Sequence, residues 1–384
     1  MLDLFLKSLS NHLAWWFSSL WPGKHKAAPL GLSRLCFLLL GYPLFLSVQL
    51  AHWLGFLFDE IFFSAYRKTP VHAPVFISGI PRSGTTFLHR ALAAEERYTY
   101  FTTWEAALAP SITERKIIRL LAALDRIVGG PIKGLFHALL AKGTGDFNTV
   151  HQVGLDAPEE DYLALLPIGA CFILLLAFPF SKELEALAQL ERMPQNERSR
   201  LIEFYKRCLQ KHLYCHPGKT LLSKNAAFAT WCPALIETFP DAKILLCIRE
   251  PDTALSSQLS SLTPARKLFG TDPDGRHTAE RFCSIYRHAY QSLAELLQST
   301  TPSQVAIIAQ SDLKNDPSGT IQTALKQLAM PLPASLSQLP PTAASKHQHQ
   351  PGEFSVDSQP IRDCMLPAYE ALLRSDHHSA PTTH

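Results

Sequence analysis

The sequence predicts an α/β fold, a parallel sheet flanked by helices and preceded by an apolar helical extension. Three observations carry this. From Pro74 onward, short apolar or β-branched runs alternate with helical stretches; one run leads into a glycine-bearing turn that opens a helix; and the first 70 residues differ in composition from the rest. Such alternation implies a sheet covered on both faces, because each crossover helix shields it.

In the first segment, residues 1–70, Leu2, Phe5, Leu6, Leu9, Leu13, Trp16, Phe17 and Leu20 recur at helical spacing. Trp15, Trp16 and Trp21 add rings that favour a membrane–water boundary, so this stretch reads as an interfacial helix. A second apolar stretch, Leu35 to Phe58, is long enough to cross a bilayer. Pro43, Gln49 and His52 interrupt it and basic residues flank both ends, so crossing, lying on a membrane surface and packing on the protein all stay open. No basic start and no small-residue cleavage site mark a removable signal peptide.

In residues 71–330, Val75–Ser78, Thr220–Ser223, Lys243–Ile248 and Val305–Ile308 are expected to be buried strands. The apolar run Leu166 to Phe180 is too short to span comfortably and is expected to be core or the wall of an acceptor pocket. Residues 331–384 are rich in Pro, Ser and His, and Asp376 to His384 has the composition of a disordered tail.

The 384 residues suit one large domain with extensions. With 36 Lys and Arg against 33 Asp and Glu, the net charge of +3 is too small for a nucleic-acid footprint, which excludes nucleic acid as the main partner. Only 18% of residues are charged, and the mean hydropathy is slightly positive, which points to apolar segments meeting lipid. Eight cysteines lie scattered without a CxxC pair or metal-ligand spacing, so reduced thiols and a cytoplasmic location are expected, with membrane attachment through the N-terminal segment left open.

The most informative stretch runs from Pro74 to Leu88. Gly79 and Gly84 let the backbone curl so that N–H groups converge on an anion, and the next helix adds its positive end. This is a P-loop-type turn with a departure. Thr85 and Thr86 stand where a Walker loop has Lys and then Ser or Thr, while a cation, Arg82, sits inside the loop. Farther on, the run Lys243–Ile248 delivers Arg249 to a strand end, Pro251 turns the chain, and Ser257 follows on the next helix. An arginine and a serine there can hold a phosphate with a charge-assisted fork and a hydroxyl donor.

At these residues the chain resembles the sulfotransferases that use 3'-phosphoadenosine-5'-phosphosulfate (PAPS), in particular the bacterial-type branch with a P-R-S-G-T-T loop. The resemblance implies a sulfotransferase-like fold. It implies that Ser83, Gly84, Thr85 and Thr86 bind the 5'-phosphosulfate, that Arg82 contacts the bridging oxygen and that Phe87 lies near the adenine. It also implies that Arg249 and Ser257 form the 3'-phosphate motif, with Glu250 in place of the usual Asp. Further matches are Asp59-Glu60 with Tyr66 to Lys68, Thr103 to Glu105, Ala109 to Ser111, Ala157 to Asp161 and Asp312 to Pro317; Lys346 to His349 resembles only faintly the segment that closes over the nucleotide.

Sulfuryl transfer is an in-line displacement that needs positioning, charge stabilisation and a base for the acceptor's hydroxyl proton. The candidate bases lie between the two nucleotide motifs. By resemblance to the family, whose bases are His or Glu, Glu160 or Glu159 comes first, then His151, although two carboxylates after Pro158 also suit the acidic start of a helix. Lys224, ending a strand, is either a charge near the transferred group or a salt-bridge partner. No metal is expected. The apolar segments favour a lipid-like alcohol as acceptor. Two other classes remain: a P-loop nucleotide kinase or NTPase, which should show the Walker lysine and a Mg²⁺-holding Asp, and a membrane-associated nucleotide-binding protein without catalysis.

Overall fold

The computed structural model describes residues 1–127, 129–130, 155–334, 336 and 358–377. The expected runs form strands: β1 (Val75–Gly79), β3 (Thr220–Lys224), β4 (Lys243–Ile248) and β5 (Val305–Ala309), joined by a two-residue edge strand, β2 (Tyr98–Thr99). All pair in parallel, in the order β2-β3-β1-β4-β5. β1 is central because each of its residues is buried, and Phe76 pairs with Ser223 on one side and Ile244 on the other. The chain first builds the β3 side and then the β4 side, so the strand order reverses across β1. Open α/β sheets bind ligands at the carboxyl edge of such a switch point.

The helices that bear on the site and its setting are α1 (Leu2–Ser19), α2 (Leu32–Phe62), α3 (Thr85–Ala93), α4 (Thr103–Ala107), α5 (Ile112–Ile127), α6 (Gln195–Cys215), α7 (Pro251–Phe269), α8 (Arg276–Ser299), α9 (Pro317–Gln327) and α10 (Ser358–His377), with shorter helical turns between them. α2 contains one π-helical turn, Phe37–Gly41. α10 was not expected from its Pro- and Ser-containing sequence. It closes the structure beside α8 by burying Met365 and Leu372, and it runs through Asp376. Lys346 to His349 and residues 378–384 lie outside the described residues.

Several of the paired matches prove to be structural. Asp59 accepts from the Ile112 and Thr113 N–H groups at 3.0 and 2.8 Å and pairs with Lys211 at 2.7 Å, so it caps α5 and ties it to α6. Thr102 and Glu105 form a capping box on α4, and Asp316 caps α9 through the Gly319 N–H. The Leu166 to Phe180 run is core: Cys171 and Phe178 are inaccessible, Trp15 stacks on Phe178, and the buried Arg34 donates to the Ala177 carbonyl at 2.6 Å. All eight cysteines are free.

Candidate active site

The loop after β1 owes its shape to two glycines. Gly79 has φ of +129°, and a Cβ there would lie 2.0 Å from the Cys247 carbonyl oxygen, so only glycine lets β1 and β4 run this close. Gly84 has φ of +95° and opens α3. Between them Arg82 also takes a left-handed backbone, φ 68°, and the buried Ser83 hydroxyl bonds the Ile80 carbonyl at 2.5 Å. The first N–H groups of α3 then face the mouth of the turn without helical partners.

The two distant nucleotide motifs meet there. Arg249 donates from Nη1 to the Arg82 carbonyl at 2.9 Å, and Arg82 Nε donates to the Ser257 hydroxyl at 3.1 Å, leaving that hydroxyl's own proton to donate elsewhere. α8 braces both: Tyr286 donates to the Pro81 carbonyl at 3.3 Å, and Tyr290 donates to the Arg249 carbonyl. Tyr369 of α10 packs edge-on against Tyr290. Burial, and after it the Arg82 cation, pulls the Arg249 pKa below the usual guanidinium value. Two guanidiniums this close in a half-buried turn suit an anion bound between them.

The other flank lies at the end of β3. Lys224, 5% exposed, pairs with Glu160 at 3.0 Å and donates to the Thr86 hydroxyl at 3.3 Å, so one lysine joins a candidate base to the phosphate loop. Behind it, Asp161 is fully buried. It accepts from Tyr205 at 2.8 Å and from Asn225, and the Asn225 side-chain oxygen accepts from the Tyr162 N–H at 2.9 Å. This network fastens the Glu160 segment to the residue after Lys224. Burial raises Asp161 to about 6, against the lowering effect of its Asn225, Ser223 and Tyr205 partners.

Of the expected bases among the described residues, only Glu160 reaches the loop in this way. The Glu159 carboxylate turns back on its own chain, accepting from the Glu160 N–H at 2.9 Å and from Thr103 at 3.5 Å. His151 lies outside the described residues. Phe87 is partly buried against the core cluster that includes Leu313.

A model of the sulfotransferase family matches residues 74–334, a span that takes in the loop, both arginines and the Glu160 segment. The chain belongs to the sulfotransferase family. It is 26% identical over 268 residues to the omega-hydroxy-beta-dihydromenaquinone-9 sulfotransferases Stf3 of Mycobacterium bovis and Mycobacterium tuberculosis, covering 67% of this chain and 63% of theirs. It thus spans less than two thirds of those relatives. Among solved structures, sulfotransferase STF1 of Mycobacterium tuberculosis superposes with a TM-score of 0.67 at 15% identity, over 94% of this chain and 92% of that one. STF9 of Mycobacterium avium gives 0.62 at 16% identity, over 84% and 81%. At these identities the likeness is one of fold.

Within this sulfotransferase fold, sequence reasoning missed Asn225, Tyr205 and the tyrosine pair on α8, and it gave Asp161, inside a matched stretch, no role of its own. A signal existed for Asn225 and for the tyrosine pair. Asn225 is a polar residue directly after a buried strand, and Tyr286 and Tyr290 stand four apart on one helix face.

Another group, Glu105, His212 and His216, is close enough to ligate a cation. Arg115 donates to His212 Nδ1 at 3.0 Å and, with Arg119, lies within 3.7 Å of Glu105, so guanidiniums already answer that carboxylate.

Proposed function

We propose that this protein is an enzyme that transfers a sulfuryl group from PAPS to the hydroxyl of a lipid-like alcohol, in the cytoplasm and at a membrane. The observation that carries the reading is the convergence on the Arg82 loop of Arg249 and Ser257 from the β4 side and of Lys224 with Glu160 from the β3 side. PAPS, when bound, supplies an activated sulfuryl group and a phosphate leaving group. Ser83 to Thr86 hold the 5' end through loop N–H groups and hydroxyls, while Phe87 lies toward the adenine. Arg249 and Ser257 hold the 3'-phosphate.

Glu160 accepts the acceptor's hydroxyl proton as the acceptor oxygen bonds to sulfur. Arg82 neutralises the charge that grows on the bridging oxygen as its bond to sulfur breaks. Lys224 sits between these two events. It pairs with the Glu160 carboxylate and donates to the Thr86 hydroxyl, so its charge stands beside the sulfuryl oxygens. Glu159, and after it His151, remain the alternatives to Glu160 as base. The substrate in the relatives' name, a hydroxylated menaquinone derivative, supports a lipid-like alcohol, as do the apolar helices packed beside the Glu160 segment.

The test is radiolabelled PAPS with the full chain against a total lipid extract and a polar-metabolite extract. Label should appear in an organic-soluble product. Label confined to the polar fraction would remove the lipid acceptor, and no transfer together with no binding of 3'-phosphoadenosine-5'-phosphate (PAP) would remove the enzyme.

A further inference from the structure

The two N-terminal helices bury several polar side chains, beside Trp15, Leu38, Tyr42 and Phe56, while large apolar side chains stay exposed. Along α2 the polar side chains Arg34, Gln49, His52 and Asp59 are buried, whereas the outer face carries Leu40, Leu44, Ala51, Leu54, Phe58 and Ile61. Leu40 is 73% exposed and Leu44 69%, while Arg34 and Asp59 are inaccessible. α1 repeats the pattern, with Ser8, His12 and Ser19 buried and Leu2, Leu6 and Phe17 outside. In water both halves of this arrangement cost free energy, since apolar area stays wet and polar groups need internal partners. Against hydrocarbon both halves are favourable.

We infer that this face docks on the surface of a phospholipid bilayer, with α1 and α2 lying in the plane of one leaflet rather than crossing it. Length alone permits crossing, since α2 has 31 residues, about 46 Å at the usual helical rise. Its contacts forbid it. At one end Arg34 donates to the Ala177 and Phe269 carbonyls; at the other Asp59 holds the start of α5 and Lys211. Both ends are fixed to the same protein body, so a crossing helix would draw that body and its charges into the hydrocarbon.

Charge favours an anionic lipid surface over a second copy of the chain. Exposed Lys24 and Lys26 lie in the turn between the helices beside the exposed Trp21, and Lys68 follows α2. α5, packed against α2, exposes Lys116, Arg119 and Arg126 among Leu120, Leu124 and Ile127. Cations and tryptophan around an apolar face match the headgroup boundary of anionic membranes. The docked helices also touch the segment that starts next to Glu160: Ser8 and Trp53 both donate to the carbonyl of Pro167, near its far end. A lipid alcohol would therefore enter from the leaflet. This purpose rests on the proposed transfer, but the docking is measured without it.

The test is flotation of the full chain with vesicles of phosphatidylcholine alone or mixed with phosphatidylglycerol, beside the variant Leu44→Glu/Leu54→Glu, whose side chains touch no part of the nucleotide site. The native chain should float, more strongly with the anionic lipid, and an alkaline carbonate wash should release it. The variant should partition at least about tenfold less while binding PAP as before. No flotation, or equal flotation of the variant, would overturn the proposal, and resistance to carbonate would show crossing instead. A native dimer that the variant dissolves would assign the face to a second copy. Transfer to a water-soluble alcohol, assayed separately, tells loss of docking apart from failure of the enzymatic reading.

Discussion

Arg249 at the end of β4 and Lys224 at the end of β3 flank the same loop, but their surroundings differ. Arg249 lies against another cation, Arg82, and its lowered pKa records both burial and that neighbour. Lys224 lies against a carboxylate, Glu160, whose segment Asp161 and Asn225 hold in place. On the proposed reading the β4 flank is completed by an anion that comes with the ligand, whereas Lys224 on the β3 flank already has its counter-charge. One side should report on nucleotide binding and the other on chemistry.

The largest effect expected from that division is on the β3 side. Glu160→Gln keeps the shape but removes a proton acceptor, so kcat should fall by about 10²–10⁴ with PAP affinity almost unchanged. Steady-state kinetics with PAP calorimetry check this, and full activity would move the base to Glu159 or His151. Arg82 sits in the loop against the β4 flank but is proposed to act on the breaking bond, so Arg82→Ala should lower kcat by about 10²–10³ with a smaller loss of nucleotide affinity. The two variants separate in a rate series against acceptor pKa. A more acidic hydroxyl needs less help from a base, so it should partly rescue Glu160→Gln and not Arg82→Ala.

The two flanks also differed in how legible they were. Gly79, Arg82 and Gly84 lie within one short stretch, and Arg249 and Ser257 within another, so local spacing was enough to find them. The Glu160–Lys224 pair, and the Asp161–Asn225 bond behind it, join segments far apart in the chain, and only the packing of the 161–168 turn beside β3 brings them together. β2 escaped notice because two residues carry no periodic signal, and α10 because Pro360 and Pro367 mask its apolar side. For α2 the obstacle was of another kind. Crossing a bilayer and lying on one ask for the same apolar length, and the inferred choice between them rests on the contacts of Arg34 and Asp59, which no sequence pattern shows.

Asp161 sharpens the comparison through pH. Its folded pKa of about 6 lies above the unfolded value of a carboxyl because burial outweighs its hydrogen bonds. A raised acid pKa means that the folded chain holds the proton longer. This contribution to stability is present below the unfolded pKa, near 4, and is lost as pH rises toward 6. The stability of the native chain relative to Asp161→Asn should fall by something on the order of 3 kcal/mol across that window and then level off. Thermal melts of both proteins from pH 4 to 7 measure it; parallel curves would mean that Asp161 is ionised throughout.

Arg249→Ala is expected to have the smallest effect, and it is the most direct probe of the β4 flank. If the guanidinium meets the 3'-phosphate, removing it deletes charge-assisted bonds worth about 1.5–3 kcal/mol each, so PAP binding should weaken by at least about 2 kcal/mol. ADP lacks that phosphate and should bind almost as before. The contrast is needed because Arg249 also donates to the Arg82 carbonyl, so its loss loosens the loop that would hold the 5' end of either nucleotide. Loosening alone weakens PAP and ADP equally. A lost phosphate contact weakens PAP selectively and flattens the salt dependence of PAP binding, because one fewer cation then meets the ligand. Calorimetry of both nucleotides at two ionic strengths distinguishes the cases, and equal losses would reduce Arg249 from a phosphate ligand to a brace for the loop.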